Sequence, residues 1–348
     1  MKNRITMMLA AVAAMFAASS ASGANAYWYG EGGTGVGAKG ANAWSTTALD
    51  TSVEGWADSL TTWSGSGAMY VPLADNTINL AGGLTVTTVL NPDTAAKNIL
   101  FTNGTLTVSQ NNGWPGSGQQ LDSMTVTFGR GAACYLSGSN PRMQIEKGTH
   151  LIFTDGATYS EKNGKTDGYY NLIGANGNAS NSLVVANGAT VTLKSQLRIG
   201  AYSGYASTGM VHVAGGTLNA NNNTFMGVHW SSIANAASSV GYLIVDGGNV
   251  PGGTGKFKTG TLGFGRNSTA SGTSHAEIHL NEGGILELTT LGCYGSGTRK
   301  FYANGGTIRV AGDTTTLMQT ISAGYYPTVA EIEAGGLTID SLRYVLHG

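Results

Sequence analysis

Along most of the chain, apolar residues fall at alternate positions in short runs, and a turn containing glycine interrupts each run. Leu183 and Val185, the turn Asn187-Gly188, then Val191 and Leu193 set one form of the pattern. Val126 and Phe128 around Gly131 with Cys134 and Leu136 repeat it, as do Ile278 and Leu280 around Gly283 with Leu286 and Leu288. A form one residue tighter runs Ile99, Phe101, Gly104, Leu106, Val108, and returns around Gly216 (Val211, Val213, Leu218) and Gly306 (Phe301, Ala303, Ile308, Val310). Leu151 and Phe153 with Gly156, and Leu243 and Val245 with Gly248, obey the same rule; weaker copies surround Gly83 and Gly335. Period-two alternation predicts short strands with one apolar face, and the glycine supplies a positive-φ corner. Asn103, Asp155, Asn187, Asp246 and Asn304, each just before a glycine, suit the same corner.

A further apolar pair follows several copies, as in Leu197 and Ile199, Leu262 and Phe264, or Leu291 and Cys293. Each repeat therefore offers three short strands, and successive anchoring glycines lie roughly 20 to 35 residues apart, the spacing of solenoids. The pattern predicts an all-β, three-sided parallel β-helix of about ten rungs, its strands hydrogen-bonded to the rungs above and below. Aliphatic residues then fill the interior, and Thr, Asn and Ser face water. Asn-Gly between alternating runs is also a hairpin signal, so an antiparallel sandwich fits the same local spacing. Residues 27–71 lack the period and carry Trp28, Trp44, Trp56 and Trp63 among Gly, Ser and Thr. They are expected to cap the first rung.

The first residues add a compartment. Lys2 and Arg4 precede an apolar stretch over residues 5–18 and small residues ending Ala24-Asn25-Ala26. This is the grammar of a Sec signal peptide cut before Tyr27. The expected organisation is thus a signal peptide (1–26), a cap region (27–75) and a β-helix repeat domain (76–348) that stops soon after a repeat begins, as a truncated passenger would. Charged residues make up only 11%, with 18 basic against 19 acidic, so no electrostatic footprint points to nucleic acid or anionic lipid. No later stretch is apolar for long enough to span a membrane. Expected partners are glycans, cell-surface components or other extracellular proteins.

The Trp-rich opening, the run Ile78-Asn79-Leu80-Ala81-Gly82-Gly83-Leu84-Thr85-Val86 and the run Ile99-Leu100-Phe101-Thr102-Asn103-Gly104-Thr105-Leu106-Thr107-Val108 resemble bacterial proteins with autotransporter-associated β-strand repeats. The resemblance implies a right-handed parallel β-helix, similar to an autotransporter passenger, displayed at or released from the outer membrane. It carries over no functional residue, because the repeat motif has none. Autotransporters end in a membrane β-barrel, whereas this chain stops at Tyr344-Val345-Leu346-His347-Gly348 without barrel-type strands.

Several motifs fail on their surroundings. Gly35, Gly37 and Gly40 spell a dinucleotide fingerprint with no strand before and no helix after. Gly164-Lys165-Thr166 resembles the end of a P-loop, but Tyr159 stands where its first glycine belongs. Gly252-Gly253-Thr254-Gly255 resembles a calcium-binding nonapeptide, but Lys256 and Phe257 follow where the aspartate ligand belongs. The richest acid–base candidates are Glu277, His279, Glu282 and Glu287; the first two share a parity opposite to Ile278 and Leu280 and so point outward together. Polar residues are also what a solvated strand needs. Asp155, Asp167 and Asp246 are too scattered for a calcium-assisted site, His212 and His229 lack a companion at ligand spacing, and Tyr169-Tyr170 and Tyr325-Tyr326 read as loop aromatics covering core edges. Cys134 and Cys293 stand five repeats apart, about 24 Å along a solenoid axis, and so should stay unpaired. The expectation is an exported structural or adhesin-like β-helix with no catalytic, cofactor or metal residues. The alternative is a polysaccharide lyase or glycoside hydrolase on the same scaffold.

Overall fold

The computed structural model describes residues 125–341 except 140, 163–169, 175–178, 201–206, 228–238, 265–273, 294–296, 313–316 and 321–326. It also describes the strands Asn25–Trp28, Asn76–Leu80, Gly83–Val86, Asn98–Phe101, Thr105–Val108 and Gly113–Pro115. The described residues contain no helix, and their strands form three sheets of eleven, ten and eight strands, here sheets 1, 2 and 3. Each rung visits the sheets in turn: Ser180–Ala186 lies on sheet 1, Thr190–Leu193 on sheet 2 and Leu197–Ile199 on sheet 3. Each of these pairs in parallel with its counterpart one rung on, Ser207–Ala214, Thr217–Ala220 and Thr224–Met226. The chain is a three-sided parallel β-solenoid. The Asn-Gly signal therefore turns the strand onto the next sheet and not back along itself, which removes the sandwich. The strand Asn25–Trp28 pairs with Asn76–Leu80 and straddles the expected signal cleavage point; most of the expected cap lies outside the described residues.

The corner at Asn187-Gly188 shows why the sequence spells it so. Both residues take positive φ, 46° and 76°. A Cβ on Gly188 would touch nothing, so the glycine is required by backbone conformation alone. Gly200, at the end of a sheet 3 strand, answers to a second demand: a Cβ there would collide with the Val240 carbonyl.

Alternation sends one residue in two into a single continuous core. Along sheet 1 one inward row reads Phe101, Phe128, Phe153, Val185, Val213, Val245, Leu280, Ala303 and Ile332 in register. The row begins as an aromatic stack, with Phe101 and Phe128 rings 4.6 Å apart and Phe128 and Phe153 rings 5.0 Å apart. It ends at Ile332, which is 64% exposed on the last described rung.

Two expectations need correcting. The interior is not wholly aliphatic, because Glu161, Asn171, Ser195, Thr224 and Thr259 are buried at or beside the turn from sheet 2 to sheet 3. The Asn171 Oδ1 accepts the Met143 N–H at 2.6 Å, and the Thr224 and Thr259 hydroxyls bond at 2.9 Å, so these groups replace water for one another. The outer faces also differ. Sheet 2 carries the expected ladder of Thr105, Thr158, Thr190 and Thr217, interrupted once by Ala133. Sheet 1 instead points Ile152, Val184 and Ile244 outward, all buried, with Met210 beside them.

Candidate functional site

The outer face of sheet 1 gathers the titratable groups. Parallel register places Tyr242, Glu277 and Lys300 in one outward row, and His212, Ile244, His279 and Tyr302 in the next. His275, two residues before Glu277 on the strand Ser274–Asn281, shares its outward parity. The Glu277 carboxylate is the hub: Oε1 lies 2.8 Å from His279 Nε2, Oε2 lies 3.1 Å from His275 Nε2, and Lys300 Nζ lies 3.5 Å from Oε2. Tyr302 stacks on the His279 imidazole with ring centroids 4.9 Å apart and planes 16° from parallel, and Tyr242 lies 5.7 Å from the His275 ring.

Burial alone pushes the Glu277 carboxyl up, since its side chain is only 7% exposed. Hydrogen bonds from His275 and His279 and the charges of His279 and Lys300 more than reverse this, and hold it well below the usual carboxylate range. An ionised carboxylate only accepts, so both Nε2 atoms carry the proton when the rings are neutral, and each Nδ1 becomes an acceptor.

The other sequence candidates are dispersed. Glu282 is exposed on a turn. Glu287 lies on sheet 2, where Lys256 Nζ at 2.6 Å and Lys258 Nζ at 3.0 Å hold it. Burial pushes the Glu287 carboxyl up as well, and the two lysines outweigh it and lower it. His212 is on sheet 1 but pairs with Asp246 at 2.8 Å, leaving its buried Nδ1 without a partner. Asp155 sits exposed at a positive-φ corner. Tyr170 is covered by the Arg198 guanidinium, 3.1 Å from the ring centroid. Gly252-Gly253 form part of the corner preceding the strand Gly255–Lys258. Asp167, His229, Tyr169, Tyr325-Tyr326, Gly35, Gly37, Gly40 and Gly164-Lys165-Thr166 lie outside the described residues. No group of three or more His, Cys, Asp or Glu among the described residues is placed to hold a metal ion.

No family model, no curated protein and no solved structure matches the chain. The chemistry of the site must therefore be read from its own residues. Sequence reasoning paired Glu277 with His279 but missed His275, although the alternation His275-x-Glu277-x-His279 was visible. It also missed Lys300, Tyr242 and Tyr302, which arrive from neighbouring rungs and have no local signature.

A second acid was missed as well, inside the rod. Glu161 occupies an inward position in register with Leu136 and is 1% exposed. Its Oε2 accepts the Lys194 N–H at 2.7 Å and its Oε1 the Tyr159 hydroxyl at 3.1 Å, with Asn171 and the Ser195 N–H as further donors. Burial dominates these donors and pushes its carboxyl up to about 7. The signal in the sequence was Tyr159-x-Glu161 where repeats such as Val191-x-Leu193 and Leu286-x-Leu288 carry an aliphatic pair.

Proposed function

We propose that the protein is an exported β-solenoid rod, displayed at a bacterial surface or released from it, that serves as a structural or adhesive element without catalysis. The observation that carries this reading is how the outer charges are spent. Glu277 with Lys300, Asp246 with His212, Glu287 with Lys256 and Lys258, and Asp340 with Arg309 all join one rung to the next. Such lateral pairs reinforce a stack and commit these four carboxylates to neighbouring rungs; among the described residues, Asp155 and Glu282 are exposed at corners and Glu331 and Glu333 on the last rung.

The competing reading, a carbohydrate-active enzyme, is favoured by the 2.8 Å contact of Glu277 with His279. Paired-carboxylate hydrolysis needs two carboxyl groups facing one substrate, roughly 5 to 9.5 Å apart. On the outer face of sheet 1 the nearest such partners by register are Asp246, one strand away and held by His212 at 2.8 Å, and Glu331, two strands away on the last described rung.

The test uses the full chain secreted from a bacterial host. It should start at Tyr27, adhere to cells or isolated wall material, and release no sugar from pectin, alginate or xylan. Turnover that disappears in Glu277→Gln would replace this reading with the enzymatic one.

A further inference from the structure

The last described rung ends in an open edge. Leu337–Asp340 is the terminal strand of sheet 2, and no described strand lies beyond it. In the inward row of that sheet Val191, Leu218, Phe257, Leu286 and Ile308 are sealed at 0% exposure, whereas Ile339, next in register, is 50% exposed. Ile332 on sheet 1 is uncovered in the same way. Along sheet 2 the N–H groups of the outward residues Thr190, Thr217 and Lys256 bond back to the preceding rung, while the carbonyls of the inward residues Leu193 and Leu288 accept from the following one. The same alternation turns the N–H and C=O groups of Leu337 and Ile339 toward the open side.

The two strand edges of this rung suit a second copy unequally. On sheet 1, antiparallel self-pairing that joins the forward-facing groups of Ala330 and Ile332 sets Glu331 against its own copy, like charge on like. On sheet 2 the equivalent pairing sets Leu337 opposite Ile339, Ile339 opposite Leu337, and Thr338 opposite Thr338. Each Leu337/Ile339 pair exchanges two hydrogen bonds, and the two threonines form the closer, non-hydrogen-bonded pair between them. Thr338 is exposed and uncharged. Asp340 falls opposite Gly336, and its carboxylate is already held by Arg309 at 2.9 Å. The strand carries no Lys, Arg or Pro of the kind that guards an edge against pairing.

We propose that Leu337–Asp340 is a self-association edge, pairing antiparallel with the same strand of a second copy about a twofold axis at Thr338. Two rods then join end to end, and each core covers the other, taking Ile339 and Ile332 out of water. The contact is isologous and stops at two copies. It does not depend on what the rod adheres to.

Analytical ultracentrifugation of the intact secreted chain across the micromolar range tests this, and a reversible monomer–dimer equilibrium is expected. Thr338→Glu and Thr338→Lys each put like charges across the axis and should weaken dimerisation by about tenfold or more, whereas an equimolar mixture of the two should restore a one-to-one dimer. Both variants should unfold with the parent, because Thr338 is exposed. Independently, Thr338→Cys should give an interchain disulfide under oxidation, since a non-hydrogen-bonded pair holds its Cα atoms about 4.5 Å apart. A monomer throughout would overturn the proposal; if the Leu337 and Ile339 amides are then protected from hydrogen exchange, residues 342–348 of the same chain are the occupant. Assemblies that grow past two copies would mean that this end pairs with the opposite end of the rod, and would overturn the twofold. A dimer that neither charged variant weakens, or that Thr338→Cys does not cross-link, would place the contact elsewhere and sink the proposal as well.

Discussion

Glu161 and Glu277 are both glutamates on strands of the same solenoid, both nearly inaccessible, and their carboxyls are shifted in opposite directions. Glu161 faces the interior among a phenol, an amide and backbone N–H groups, none of which carries charge, so burial wins and the carboxyl stays protonated up to about 7. Glu277 faces outward among two imidazoles and an ammonium, so burial loses and the carboxylate stays ionised. Burial sets the size of the penalty, and the chemistry of the neighbours decides which protonation state escapes it. The same side chain is thus a carboxyl that keeps its proton up to about 7 inside the rod and a fixed anion outside it.

The sharpest way to break this comparison is to place an acid inside without donors. Val213 is fully buried in the inward row between Val185 and Val245. Val213→Asp lacks the four donors of Glu161 and should cost about 3–5 kcal/mol or more in urea unfolding at neutral pH. A variant that unfolds with the parent would mean that row does not face the core.

Next comes the pH profile. A carboxyl near 7 in the folded state, against roughly 4.3 unfolded, contributes stability that is fully present below about pH 4.3 and lost as pH rises through 7. Between those values the parent should lose on the order of 3 kcal/mol from this group, and Glu161→Gln should flatten that slope. A slope identical in parent and variant would show Glu161 ionised and solvated. Glu277 acts with the opposite sign: its folded value is depressed, so its contribution is present above about pH 4.3 and lost as acid is added below it. Of these two groups alone, the summed contribution is largest near pH 4 to 5.

Glu277→Gln should have a smaller effect at neutral pH, about 1–2 kcal/mol, because water reaches the edge of the cluster and partly replaces the lost contacts. Its mark is selective: the acid limb of the profile should shrink while the slope between pH 4.3 and 7 stays. Loss of both limbs would mean the two acids are coupled.

The smallest expected change is none. Cys134 lies on sheet 2 and Cys293 on sheet 3, five rungs apart, and both are buried and free. Burial raises both thiols, Cys293 to about 11 with a small opposing effect from Arg299. Export to an oxidising compartment should leave two thiols, slow to react in the native state and countable after denaturation without reductant. A Cys134–Cys293 bond would be incompatible with the stack.

Much of the fold was legible because alternation is a local property. Whether Val213 points inward depends on Val211 two residues away, and whether the chain turns at Asn187-Gly188 depends on two residues that tolerate positive φ. The strands, their inner faces, the corners and the separation of the cysteines therefore follow from the sequence alone. What met across rungs did not. Val185, Val213, Val245, Leu280 and Ala303 stand level although 28, 32, 35 and 23 residues separate them in turn, because loops of unequal length intervene and only the hydrogen-bond ladder fixes the register. Tertiary structure alone decided that Lys300 and Tyr302 would stand beside Glu277 and His279, that apolar side chains would cover part of the outer face of sheet 1, and that Glu161 would keep its proton. Each of these depends on neighbours one rung away, and a period of two carries no information at that distance.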